Sequence, residues 1–142
     1  MSLPSQQLSK EKALGVIKDF IKEILPSEVW YQNVTQHIKA IILYGSVAKG
    51  INRPDSDIDI LIILPLEIEE KYTKGEYCYK YQNQEINIVM RSEERMESLA
   101  LKHNDTFQAE VFGGCEIIWQ KDDKIKKLID RILFEHSWMN QK

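Results

Sequence analysis

An α+β domain, a mixed or antiparallel sheet packed with helices, is the fold class this sequence predicts, and three observations predict it. Two β-branched apolar runs bracket a glycine turn at Gly45. An alternating tyrosine run and an apolar run lie on either side of a polar pair, as the arms of a hairpin do. Amphipathic patterns of helical period open and close the chain.

Taken in order, the first helix runs from about residue 5 to 25, with Leu14, Ile17, Ile21, Ile24 and Leu25 forming its apolar stripe. Pro26 follows because proline cannot continue a helix. Residues 26–33 and 52–56 read as connecting segments. Ile38 to Tyr44 reads as a strand, Gly45 to Gly50 as a turn with a short helix, and Asp57 to Leu64 as a second strand. Tyr77, Tyr79 and Tyr81 share one face of the next strand, Asn83-Gln84 offers a turn, and Glu85 to Met90 is the return strand. Ser92 is placed to cap a helix that turns Met96, Leu99 and Ala100 inward, with a break at Asn104-Asp105. Further helical turns from Thr106 to Phe112 stop at Gly113-Gly114, and Cys115 to Trp119 is a short strand. A last helix of about 122–136 repeats Ile125, Leu128, Ile129, Ile132 and Leu133 at helical spacing. With 142 residues the expectation is one domain, its catalytic core at about 36–120.

Composition narrows the function classes. A net charge of −3 argues against a nonspecific nucleic-acid binder, which collects phosphates on a basic face, although a local basic patch stays open. Cys78 and Cys115 stand apart with no metal-ligand spacing, so the reading is two buried small hydrophobes in a reducing cytoplasm. No apolar run has the length of a membrane span, and no membrane partner is expected.

The chemistry is concentrated in Gly45-Ser46-Val47-Ala48-Lys49-Gly50 and Ser56-Asp57-Ile58-Asp59. Side chains alternate along a strand, so Asp57 and Asp59 project from one face while Ile58, Ile60 and Ile62 enter a core. Two carboxylates that close repel one another unless a cation lies between them. Magnesium suits the position, since it takes few carboxylates and completes its octahedron with water and phosphate oxygens. Gly45 and Ser46 offer backbone and hydroxyl donors to a phosphate, and Lys49 adds positive charge. Either motif alone is most often an ordinary turn or surface charge; together, each set against an apolar strand, they describe a site for metal-bound triphosphate. A Walker A loop is excluded because Ile51-Asn52 stands where Lys-Ser/Thr is required. His37, His103 and His136 lack any acid–nucleophile arrangement and read as surface or capping residues. The tyrosine row suits sheet packing before base stacking. Arg91 and Arg95 suit exposed helix charge before phosphate contact.

These motifs resemble the nucleotidyltransferase superfamily of the DNA polymerase β type, whose signature is Gly-Ser, a short spacer and Asp-x-Asp. Within it the chain is similar to the minimal nucleotidyltransferases, whose pattern Gly45, Ser46, Ala48, Lys49, Gly50, Ser56, Asp57 and Asp59 all match. The order of elements extends the likeness to roughly residues 30 to 120. The resemblance implies a two-metal Mg²⁺ site on Asp57 and Asp59, and nucleotide binding by Gly45, Ser46, Lys49 and Ser56. The implied reaction moves a nucleoside monophosphate, AMP from ATP, to a hydroxyl acceptor. A third carboxylate belongs on a later strand in this family, and Asn87 stands there, with a carbonyl oxygen that ligates a metal weakly and cannot act as a base. Three readings stay open: Glu85, two residues earlier on the same face, replaces the acid; Asn87 suffices; or the protein binds nucleotide without efficient transfer. The first is favoured. The family also implies a separate acceptor chain, a helical HEPN-type protein for which the minimal nucleotidyltransferase serves as antitoxin. The alternative is a catalytically degenerate module that binds nucleotide or partner.

Overall fold

The computed structural model describes residues 9–50, 57–72, 77–101 and 111–139, with side chains through Glu135. Five strands form one sheet in the order β3-β4-β2-β1-β5. They are β1 (Ala40–Tyr44), β2 (Ile58–Leu64), β3 (Tyr77–Tyr81), β4 (Gln84–Ser92) and β5 (Glu116–Gln120). β2 runs antiparallel to β1 and parallel to β4, while β5 and β3 add antiparallel edges, so the sheet is mixed, as the α+β reading requires.

The central strands are nearly continuous apolar runs because both faces are covered. On one face α1 (Lys10–Glu23) lays Val16, Ile17 and Phe20 over Leu43, Ile58, Ile60 and Ile86, all buried. On the other, Ile42, Leu61 and Ile63 meet Met96 and Ala100 of α5 (Glu93–Leu101), and Ile125, Ile129 and Ile132 of α6 (Lys124–Met139). Ser9 caps α1 by accepting from the Lys12 amide at 3.0 Å. Ser92 caps α5 as its sequence position predicts, accepting from the Arg95 amide at 3.0 Å. α6 begins where Asp122 accepts from the Lys124 amide at 2.9 Å.

Several expectations give way. Residues 26–33 are no simple connection: a 3-10 turn over Leu25–Ser27 leads into α2 (Val29–Val34). Six residues are too few to display a helical period, and tertiary packing decides the matter. Val34 is buried, and Trp30 stacks on Tyr77 at 4.4 Å while donating to the Tyr79 hydroxyl at 2.6 Å. A further short helix, α4 (Leu66–Tyr72), went unread for the same reason. It buries Glu69, whose Oε2 accepts from Arg95 Nε at 3.0 Å, so Arg95 is exposed on its helix as expected and is also the ion-pair partner of a buried carboxylate. The β3–β4 turn falls on Gln82-Asn83, at φ 51° and 63°, the two positive values that a tight two-residue hairpin needs.

Cys78 is exposed on an edge strand, which overturns its expected burial. Cys115 is half-buried, and burial, with Glu116 beside it, pushes its thiol up to about 11. The tyrosine row packs as expected, Phe20 meeting Tyr79 and Tyr81 edge-on at 5.1 and 5.6 Å. The break at Asn104-Asp105, the helical turns before Val111, His103 and Ser56 lie outside the described residues. Among the described residues no helix is long and apolar enough to cross a membrane.

Candidate active site

The site is assembled where β1 turns into α3 (Gly45–Lys49) beside the start of β2. Tyr44, the last residue of β1, is the cross-strand partner of Asp59. Gly45 follows at φ +82°, a conformation that L side chains rarely adopt. Space makes the same demand: a Cβ on Gly45 would stand 2.5 Å from Asp59 Oδ2. The glycine is therefore the surface against which the Asp59 carboxylate is seated. Val47 and Ala48 are buried and anchor the short helix, which ends at Gly50, φ +73°, whose amide donates to the Ser46 and Val47 carbonyls. Ser46 is half-buried in the first turn. Lys49 is exposed, but its stem lies on the 111–114 turn, where a Cβ on Gly114 would come 3.0 Å from Lys49 Cγ.

Asp59 and Asn87 are direct partners in the parallel β2–β4 pair, and the Asn87 side-chain amide donates to Asp57 Oδ2 at 2.8 Å. Asn87 thus pairs in register with one carboxylate and donates to the other, with Ile58 and Ile60 fully turned into the opposite core. Asp57, Asp59, Asn87 and Gly45 come together. Glu85 is exposed on the same strand face, opposite Lys80 of the edge strand β3, and joins no cluster of three metal-binding side chains among the described residues. The oxygen donors that remain, two carboxylates and the Asn87 carbonyl, fit a hard cation that takes one or two carboxylates and completes its shell from phosphate and water. Sequence reasoning missed two contacts here. The role of Asn87 in holding Asp57 follows from strand register, and the Gly114 turn beneath Lys49 was legible only as a helix stop.

The sequence profile described as polymerase beta, nucleotidyltransferase matches residues 27–124, a span holding every element just described around the carboxylates. The chain belongs to this family. Its α+β arrangement is that of a polymerase β-like nucleotidyltransferase domain. Among solved structures, a nucleotidyltransferase-like protein from Exiguobacterium sibiricum superposes with a TM-score of 0.56 at 9% identity, over 84% of this chain. That is a likeness of fold, and the nucleotidyltransferase domain here spans 38% of that protein's length. A toxin-antitoxin structure with AMP-PNP is matched at a TM-score of 0.41 and 12% identity, over 78% of this chain and 86% of that one. No curated protein matches this family member.

Proposed function

We propose that the protein is a Mg²⁺-dependent nucleotidyltransferase that moves a nucleoside monophosphate, AMP from ATP foremost, to a hydroxyl and releases pyrophosphate. The observation that carries this is the seating of the Asp59 carboxylate against Gly45, with Asn87 tying Asp57 to the same spot. The phosphate-binding turn and the carboxylate pair therefore form one surface. Gly45 and Ser46 would grip the triphosphate from backbone and hydroxyl donors, with Lys49 offsetting its charge. Asp57 and Asp59 would hold the metal, which supplies charge neutralisation and a lowered pKa for the attacking hydroxyl. The acceptor oxygen bonds to the α-phosphorus as the bond to the bridging oxygen breaks, and pyrophosphate departs in line. Asn87 cannot take the hydroxyl proton, which leaves Asp57, Asp59 and Glu85 as the carboxylates of this face that could receive it. Positioning supplies much of the rate in such chemistry.

The acceptor we propose is a hydroxyl on a partner protein of the helical HEPN type, in the cytoplasm, with this chain as antitoxin; its support is the motif resemblance. Asn87 favours the second reading, a degenerate module that binds nucleotide or partner without turnover. Calorimetric titration of ATP with Mg²⁺ into wild type and Asp57→Asn/Asp59→Asn, followed by labelled-nucleotide transfer to the partner, tests both. The proposal expects metal-dependent binding that the double variant loses, and at least a 100-fold loss of transfer in Asp57→Asn. Transfer that survives in Asp57→Asn would sink the metal assignment, and binding without any turnover would favour the module.

A further inference from the structure

The face of the sheet that carries Asp59 and Asn87 does not end with them. Leu61 and Val89 form the next same-face rung of the parallel β2–β4 pair, since side chains repeat every two residues. That is about 7 Å further along the strands. These two residues are in the wall of a cavity of about 220 Å³, which is closed by Tyr44, Arg91, Leu99 of α5 and Phe112. Three features of chain order and register place this cavity beside the site. Tyr44 is the residue before Gly45 and the strand partner of Asp59. Leu61 and Val89 succeed Asp59 and Asn87. Phe112 belongs to the same turn as Gly114, on which the Lys49 stem lies.

We propose that this cavity is the nucleobase pocket of the nucleotide site. The inference rests on the nucleotidyltransferase reading and adds which residues take the base. The volume is below the roughly 300 Å³ at which pockets begin to hold whole small ligands, so it takes one ring system and leaves sugar and phosphates outside. The walls are apolar and aromatic, as a base face requires. Arg91 and Arg95, both in the lining, contribute donors alone, so the pocket offers hydrogen-bonding partners to ring nitrogens or carbonyl oxygens of the base. The alternative occupant of the same space is the apolar part of the acceptor, and the experiment below separates the two.

The test compares Mg²⁺-dependent binding of ATP, GTP, CTP and UTP with that of inorganic tripolyphosphate, which carries the charged portion and no base. Wild type, Val89→Phe and Leu99→Trp are titrated, the substitutions being chosen to fill the cavity from the sheet and from α5. Wild type should bind at least one nucleoside triphosphate about tenfold or more tightly than tripolyphosphate, the margin that stacking a base supplies. Both filled variants should lose that margin and retain wild-type affinity for tripolyphosphate, which also certifies that they fold. Filled variants that keep the margin overturn the pocket assignment and leave the triphosphate site standing. Filled variants that keep the margin but lose transfer overturn it in favour of the acceptor. If wild type binds neither ligand, the nucleotide site itself fails, and the pocket fails with it.

Discussion

At Gly45 one residue meets two separate demands, a backbone at φ +82° and a carboxylate oxygen where a Cβ would stand. Gly45→Ala should therefore cost about 1–2 kcal/mol in stability for the left-handed conformation alone. It should also displace Asp59, so magnesium-dependent nucleotide binding should fall further than the stability change explains; denaturant unfolding and calorimetry on one preparation check both. Asn87 poses the opposite question, because it stands where the motif resemblance implies an acid. Asn87→Asp should lower Tm in the absence of metal, since a donor to Asp57 becomes a third negative charge. Magnesium should then raise Tm by more in the variant than in wild type, as the added carboxylate repays its repulsion on binding the cation. An identical magnesium response in melting curves would place Asn87 outside the metal shell. Both residues were legible as motif positions. That Asp59 rests on Gly45, and Asp57 on Asn87, was not, because each is a contact between segments far apart in sequence.

The elements around the site show where local pattern suffices and where it fails. The long helices α1, α5 and α6 repeat apolar residues at helical spacing, and Ser9 and Ser92 mark two starts with hydrogen bonds that form. The short helices α2 and α4 have neither the length for a period nor strong propensity, and are held by what they pack on. For α2 the holding contacts are specific: Trp30 donates to the Tyr79 hydroxyl, which donates to the Glu28 carboxylate. Burial, with the Glu28 carboxylate, pushes the Tyr79 phenol up to about 12 from an ordinary 10.0. The folded state holds this proton more tightly than the unfolded chain does. Its contribution is thus complete below the ordinary value and is lost as pH rises toward 12. Tyr79→Phe should start less stable at neutral pH, by about 1 kcal/mol per hydrogen bond lost, and decline less steeply across that alkaline window. Thermal melts of both proteins across the window decide it, and parallel curves would refute the assignment.

At the scale of the whole molecule, the mixed sheet positions the chemistry by stacking two kinds of pairing on β2. The antiparallel partner β1 delivers the glycine turn to Asp59, and the parallel partner β4 delivers Asn87 to its other side. A ligand bound between them should stabilise the fold as a unit. With Mg²⁺ and a binding nucleoside triphosphate at about 100 times Kd, mass action predicts about 2.7 kcal/mol, or roughly 10 °C in Tm for a chain of this size. Asp57→Asn/Asp59→Asn should melt near the wild-type temperature without ligand and show no such rise. Differential scanning calorimetry measures both, and a ligand-induced rise that survives the double substitution would locate the nucleotide elsewhere.

The amino-acid sequence by itself determined the class of fold, the strands that bracket Gly45 and the order Gly45-Ser46 to Asp57-Ile58-Asp59. Those are properties of composition and spacing along one stretch of chain, where apolar alternation, glycine and paired carboxylates carry their meaning locally. It did not determine that residues 29–34 coil into a helix, that Cys78 is exposed at a sheet edge, or that Glu85 faces Lys80 while Asn87 meets Asp57. Tertiary structure decided these, because register between strands and burial against distant segments are set by the summed packing of the core. A one-residue slip of β4 would have turned Asn87 inward and Ile86 and Ile88 out, and the cost of exposing those two buried side chains is what holds the site in place.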